Sequence, residues 1–278
     1  MKENNSGRYG HLLTLIKGAV IGGTMLVPGV SGGTMAMILN IYDKLISAVS
    51  SLMKDVRKNI FFLIVFAAGG GLGMLVFSKP LLHLIETYTM PTMYFFMGAV
   101  VGGIPLVLKH ANVSKPSIKS FVYLAIGIAV VLLLANIPTD DIGAVAGQGI
   151  RGMLFLFAAG LFVAVGLVLP GISVSYMLLI LGMYDETMMA ISTLYMPYLI
   201  PLAIGLIVGI FATTKVIEKA LTSYPRPTYM MILGFVLASV AEVFPGIPDG
   251  IQIPVSAVTF AAGCVLILLL SRKEAENI

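Results

Sequence analysis

The sequence predicts an all-α polytopic membrane protein made of two inverted-topology repeats, each a re-entrant helical hairpin followed by three transmembrane helices. Three observations predict it: a composition too apolar for a water-facing surface, a sixteen-residue segment that recurs 142 positions later, and a Pro-Gly break inside each copy.

Hydrophobic residues make up 58% of the 278 and charged residues 11%, with a mean hydropathy of +1.01, so a soluble surface of ordinary charge density cannot be assembled. The net charge of +4 is carried by basic residues in short breaks between apolar runs, which is how membrane topology is encoded and argues against a nucleic-acid partner. Cys264 is the single cysteine, which excludes an intrachain disulfide and a cysteine metal cluster. The first apolar run, Leu12 to Val27, has no small-x-small cleavage site, so the N-terminus is expected to be retained.

Pro28 to Asp43 (PGVSGGTMAMILNIYD) returns as Pro170 to Asp185 (PGISVSYMLLILGMYD) with eight identical positions. At an offset of 136, Gly69, Gly73, Lys79, Tyr88, Pro91, Thr92 and Gly98 match Gly205, Gly209, Lys215, Tyr224, Pro227, Thr228 and Gly234. Gly69/Gly73 and Gly205/Gly209 are small-xxx-small pairs, read as packing residues that let helices approach in lipid.

The elements follow in order. The first repeat, 11–136, holds a hairpin at 12–47 and helices at 60–77, 91–108 and 118–135; the second, 151–271, holds a hairpin at 152–191 and helices at 198–214, 227–244 and 255–271. Each helix is near the roughly 20 residues that cross a hydrocarbon core, and together they make one membrane domain. A hairpin arm such as Leu12 to Val27 has 16 residues, about 24 Å of helix, more than half a bilayer and less than a comfortable span. Backbone freed by Pro28 and Pro170 survives in a membrane only when buried in protein or lining a wet cavity, which favours re-entrant hairpins meeting near the midplane.

Three crossings per half turn the second copy upside down. With both termini cytoplasmic and both hairpins returning to their own side, 15 of the 17 basic residues fall inside, leaving Lys79 and Arg151 outside. A single kinked crossing for each Pro-Gly unit would give 10 against 7, so the hairpin reading is preferred.

The hairpin tips carry the candidate chemistry. In the first, proline ends one arm, Gly32 and Gly33 bare the backbone, and Ser31 or Thr34 caps the next arm; the second tip offers Ser173 and Ser175. Free N–H groups there form an anion site, although each hydroxyl taken singly also fits a plain cap. Lys17 in the first arm and Arg151 at the start of the second hairpin either pair with an anion or snorkel to the interface. Glu242, near the end of an apolar crossing, and Asp43 and Asp185, at equivalent arm ends, are coupling candidates, with interface solvation and helix-end structure as the competing readings.

PGVSGGT with NIYDKLI, and PGIS with LLILGMYD, resemble the two signatures of the bacterial polyprenyl-phosphate transporters, and the similarity in organisation covers nearly the whole chain. The resemblance implies a carrier, with no cofactor, that returns undecaprenyl phosphate from the outer to the inner leaflet of the cytoplasmic membrane for reuse in cell-wall (peptidoglycan) synthesis. Its expected partners are this lipid and the surrounding membrane; homo-oligomerisation is left open.

Two rivals share the tip chemistry: a secondary transporter of a small soluble anion and an intramembrane lipid-phosphate enzyme. None of His11, His83 and His110 pairs with a cluster of acids in the sequence, so neither a catalytic base nor a metal centre is expected. A channel is disfavoured by the lack of a filter sequence or ring of like charges.

Overall fold

A computed structural model describes residues 3–27, 30–111, 117–135 and 149–275; Pro28, Gly29 and the side chain of Glu242 lie outside the described residues. The protein is all-α among those residues, with twelve helices. Five are long and apolar enough to cross a bilayer, Val56–Thr87, Thr89–His110, Gly149–Val168, Met196–Ser223 and Gln252–Leu270, and Ile118–Leu134 is a shorter apolar one, as a multi-pass membrane protein requires.

The chain runs α1 (Glu3–Thr24), α2 (Gly32–Ile38), α3 (Tyr42–Ser50), α4 (Val56–Thr87), α5 (Thr89–His110) and α6 (Ile118–Ala135). The same succession of one long, two short and three long helices follows in α7 (Gly149–Val168), α8 (Val174–Ile180), α9 (Tyr184–Ser192), α10 (Met196–Ser223), α11 (Pro225–Val243) and α12 (Gln252–Ala275). Each segment expected as a hairpin holds one long helix followed by a seven-residue and a nine-residue helix.

The second break is a helix stop written twice. Asn40 (φ 53°) donates to the Met37 carbonyl and Ile41 to the Ala36 carbonyl; Gly182 (φ 63°) donates to Leu179 and Met183 to Leu178. This paired pattern satisfies carbonyls at a helix end and needs a left-handed residue, for which Gly and then Asn are the cheapest choices. The joint between α4 and α5 is also duplicated. Tyr88 (φ −128°, ψ 50°) and Tyr224 (φ −136°, ψ 58°) turn the chain alike, and Thr92 and Thr228 donate to the Leu84 and Ala220 carbonyls at 3.2 and 3.0 Å.

Glycine ridges set the packing. A Cβ on Gly69 would lie 2.2 Å from the Leu15 carbonyl oxygen and one on Gly73 1.9 Å from that of Ala19, so α4 presses its backbone on α1. Gly205 and Gly209 do the same to Phe157 and Leu161 on α7, with approaches of 2.0 and 2.9 Å. Gly98 of α5 meets Phe260 of α12 at 2.0 Å, and Gly234 of α11 meets Leu124 of α6 at 2.3 Å. So α1 packs on α4 and α7 on α10, whereas α5 takes its partner from the far end of the chain and α11 takes α6. Close backbone approach replaces the hydrophobic drive that lipid does not supply.

In the buried centre α5 packs against α11 and α2 packs on α5: Val107 of α5, Ile232 of α11 and Met177 of α8 are each 1% exposed. Leu75, Leu133 and Val258 are 77%, 70% and 68% exposed, an apolar rind that suits hydrocarbon and not water.

The expected helix 60–77 is longer than its apolar run, since α4 continues through Pro80 to Thr87. The arms are longer too. Glu3 to His11 extends α1 with a polar stretch, leaving Leu12 to Thr24, roughly 20 Å, as its apolar part, and α7 begins at Gly149 and is by itself long enough to cross.

Candidate functional site

The two tips touch. Ser31, in extended conformation (φ −81°, ψ 133°), is the N-cap residue of α2, and Ser173 (φ −95°, ψ 138°) holds the same position on α8; neither side chain caps its helix. The Thr34 hydroxyl, 1% exposed, instead accepts from the backbone N–H of Gly171 at 2.8 Å, so the first turn of α2 satisfies an amide of the other tip. Gly33 lies so close to Pro170 that a Cβ would come within 3.1 Å of its backbone. Gly171 (φ 81°) is wedged against α11, where a Cβ would meet the Phe235 carbonyl carbon at 2.3 Å.

Beside this junction is a pocket of about 80 Å³ lined by Ser31, Gly32, Ser173 and Ser175 with Met25, Val30, Gly166, Leu167, Ile172 and Val174. One water needs about 10–15 Å³ of such space, so the pocket takes a small polar group. Its described lining provides hydroxyls and backbone at two helix starts and carries no formal charge. The sequence-expected set is therefore split: four of its members line the pocket, and Gly33 and Thr34 stitch the tips together beside it.

The basic candidates are elsewhere. Lys17 lines an apolar cavity of about 430 Å³ with Thr24, Met35 and Ile38. Arg151 is exposed in the first turn of α7, and the 17 residues to Val168 put it roughly 26 Å along that helix from the tip. Asp185 is exposed in the first turn of α9. Glu242 falls in the last turn of α11.

An apolar groove of about 350 Å³ adjoins the tip pocket, sharing Met25, Gly32 and Leu167 with it, and is walled by Tyr42, Leu45, Ile46 and Val49 of α3, Leu63 and Phe66 of α4 and Ile210 and Thr214 of α10. The Tyr42 hydroxyl donates to the Val168 carbonyl at 3.0 Å and fixes the end of α7 against α3.

Asp43 is not idle at its helix end. Tyr229 of α11 donates to its carboxylate at 2.5 Å, His110 of α5 stands 3.9 Å away, and the His110 ring stacks on Tyr229 with centroids 5.4 Å apart. The other His110 nitrogen lies 3.1 Å from the Asn40 side-chain oxygen. The histidine expected at an interface with no acid cluster thus sits beside one carboxylate, and sequence offered no pointer to it, since its partners are 67 and 70 residues away. Among the described residues no three His, Cys, Asp or Glu side chains gather as metal ligands.

Comparison with known proteins gives the family. A family model described as undecaprenyl phosphate translocase-like matches residues 21–259. The chain is similar to the polyprenyl-phosphate transporter of Staphylococcus aureus (strain NCTC 8325 / PS 47), 34% identical over 276 residues covering 95% of this chain and 98% of the relative. It is also similar to that of Vibrio cholerae serotype O1 (strain ATCC 39315 / El Tor Inaba N16961), 26% identical over 253 residues covering 84% and 78%. No solved structure matches the chain. The family and both relatives are named for moving a lipid phosphate and not for cleaving one, which sets the enzyme rival aside. The chain belongs to the undecaprenyl phosphate translocase-like family.

Proposed function

We propose that this protein carries polyprenyl phosphate, with undecaprenyl phosphate as the substrate, from the outer to the inner leaflet of the bacterial cytoplasmic membrane, returning the carrier lipid to cell-wall synthesis. The observation that carries the reading is the junction of Gly171 with Thr34 beside the pocket of Ser31, Ser173 and Ser175. Hydroxyls at two helix starts suit phosphate oxygens, and the adjoining apolar groove gives the tail a place that a soluble anion would not use. The groove therefore favours the lipid over a small-anion substrate.

The two halves act as inverted repeats, with both termini cytoplasmic and the tips near the midplane. The positive-inside bias and the duplicated stops and joints support this arrangement. Rocking of the halves about the tips exposes the head group first outside and then inside. Asp43 is the leading coupling residue, because its contacts with Tyr229 and His110 join a hairpin to α5 and α11 and are well placed to break and re-form in the cycle. Lys17 and Arg151 attract the phosphate along its path and do not hold it at the tips.

Liposomes bearing undecaprenyl phosphate in one leaflet test the reading through the rate of its appearance in the other. Acceleration over empty liposomes is expected, slowed in Ser31→Ala/Ser173→Ala; equal rates with and without protein overturn it.

A further inference from the structure

The charge that the tips lack is gathered at the other end of the first hairpin. A pocket of about 800 Å³ between α1, α3 and the start of α4 is lined by His11, Lys44, Arg57 and Lys58, with Asp55 the one acid in its described lining. Asp55 is engaged, since its carboxylate accepts from the Lys58 backbone N–H at 3.3 Å as the N-cap of α4. Three formal cations thus face one occupied carboxylate, at the N-terminus of a 32-residue helix whose dipole adds to their field.

Of these cations Lys44 is anchored on an aromatic ring, while Arg57 and Lys58 are exposed. Lys44 lies over the Phe62 ring at 4.4 Å, and Phe62 is 6% exposed. Burial, then repulsion from Lys58 and Lys17, keeps the Lys44 ammonium below the usual lysine range. Like charges crowded this way are relieved by a bound anion, and lysine is a good point-charge partner for phosphate.

Helix α3 also divides this pocket from the apolar groove that reaches the tips. Lys44, Ser47 and Ala48 form one stripe on the basic side, and Leu45, Ile46 and Val49 form the next on the apolar side. A basic pocket and an apolar groove on adjoining stripes of one nine-residue helix have the shape of a phosphate on a hydrocarbon tail.

We propose that this basic pocket is a second phosphate site, separate from the tips, which takes the head group where it leaves the carrier. The choice of a lipid phosphate rests on the transport reading above; the phosphate chemistry rests on the pocket alone.

Amine footprinting of the full chain in phosphatidylcholine nanodiscs tests it, with acetylation rates at Lys44 and Lys58 read by mass spectrometry against Lys219. Undecaprenyl phosphate at ten times its Kd is expected to slow both lysines about elevenfold, the factor 1 + [L]/Kd, with Lys219 unchanged and uncharged undecaprenol without effect. Equal protection by inorganic phosphate supports the site and assigns it to the free anion as well. Protection by undecaprenol to the same extent, or none by either phosphate, overturns it. Ser31→Ala/Ser173→Ala is expected to keep the protection; its loss there overturns a separate site. Protection without accelerated transfer in liposomes removes the transport reading alone, and transfer without protection removes the second site alone.

Discussion

The backbone N–H of Gly171 gives its hydrogen to the hydroxyl of Thr34, 137 residues earlier, at 2.8 Å in a buried setting. A side chain at the first helix break thereby answers part of the hydrogen-bonding need that the second would leave as bare backbone in lipid. Replacing Thr34 with Val keeps the volume and removes the acceptor, leaving a buried amide unpaired at about 1–3 kcal/mol. Thermal unfolding in detergent is expected to show Thr34→Val less stable and slower in lipid transfer, with Thr34→Ser close to wild type.

Gly171→Ala is expected to be far worse than an ordinary surface change. The residue has φ 81°, and the new methyl would fall 2.3 Å from the Phe235 carbonyl carbon, which as backbone cannot step aside. Strain and overpacking together cost several kcal/mol, roughly 1–3 for each cause. Fluorescence-detected size exclusion should show little monodisperse protein, while Leu194→Gly, at an exposed left-handed site (φ 52°) that glycine tolerates, should behave normally.

Gly71 and Gly73 make an internal control, two residues apart and so on opposite faces of α4. Leucine at Gly73 drives into the Ala19 backbone, where even a Cβ would be 1.9 Å from the oxygen, while at Gly71 a Cβ meets nothing within 4 Å. Expression and thermal stability are expected to collapse for Gly73→Leu and to be nearly unchanged for Gly71→Leu.

Tyr229→Phe removes the donor to Asp43 with little change of shape. A hydrogen bond to a charged group contributes about 1.5–3 kcal/mol, less here because the Asp43 side chain is 51% exposed. Stability should fall by about 1 kcal/mol. Lipid transfer is expected to fall more in Tyr229→Phe and Asp43→Asn than that loss of folded protein accounts for; transfer that merely tracks the folded fraction would assign the contact to structure alone.

Lys44 should lose its proton at lower pH than an ordinary lysine, because desolvation and its basic neighbours disfavour the ammonium. Its acetylation rate, followed against pH, is expected to reach half its maximum at a lower pH than that of a lysine in a short unstructured peptide. Lys58→Gln, which removes one neighbouring charge, should move that midpoint up.

The helices and the Pro-Gly breaks were legible because each rests on a local signal: apolar runs of spanning length and a residue that cannot continue a helix. The glycine contacts were legible in kind, from small-xxx-small spacing, though spacing could not say that Gly98 would seek Phe260. The break at Asn40 went unread because Asn is only a weak stop signal, although Gly182 at the matching position was a clue. The meeting of Asp43 with His110 and Tyr229 could not be read, since it depends on how α3, α5 and α11 converge and not on any pattern along the chain. Apolar runs also underestimated α4, whose Lys79 and Pro80 end the hydrophobic stretch without ending the helix.

The exchange of helices between the halves, α5 with α12 and α6 with α11, has a consequence for biogenesis. The groove on α5 around Gly98 and Gly102 stays open until Phe260 and Cys264 arrive, and α12 begins 142 residues (252 − 110) after α5 ends. At roughly 5–20 residues per second the nascent chain waits on the order of ten seconds with that seam exposed to lipid. A product cut short before the last helix would keep a vacant seam and so be marked for clearance by membrane quality control.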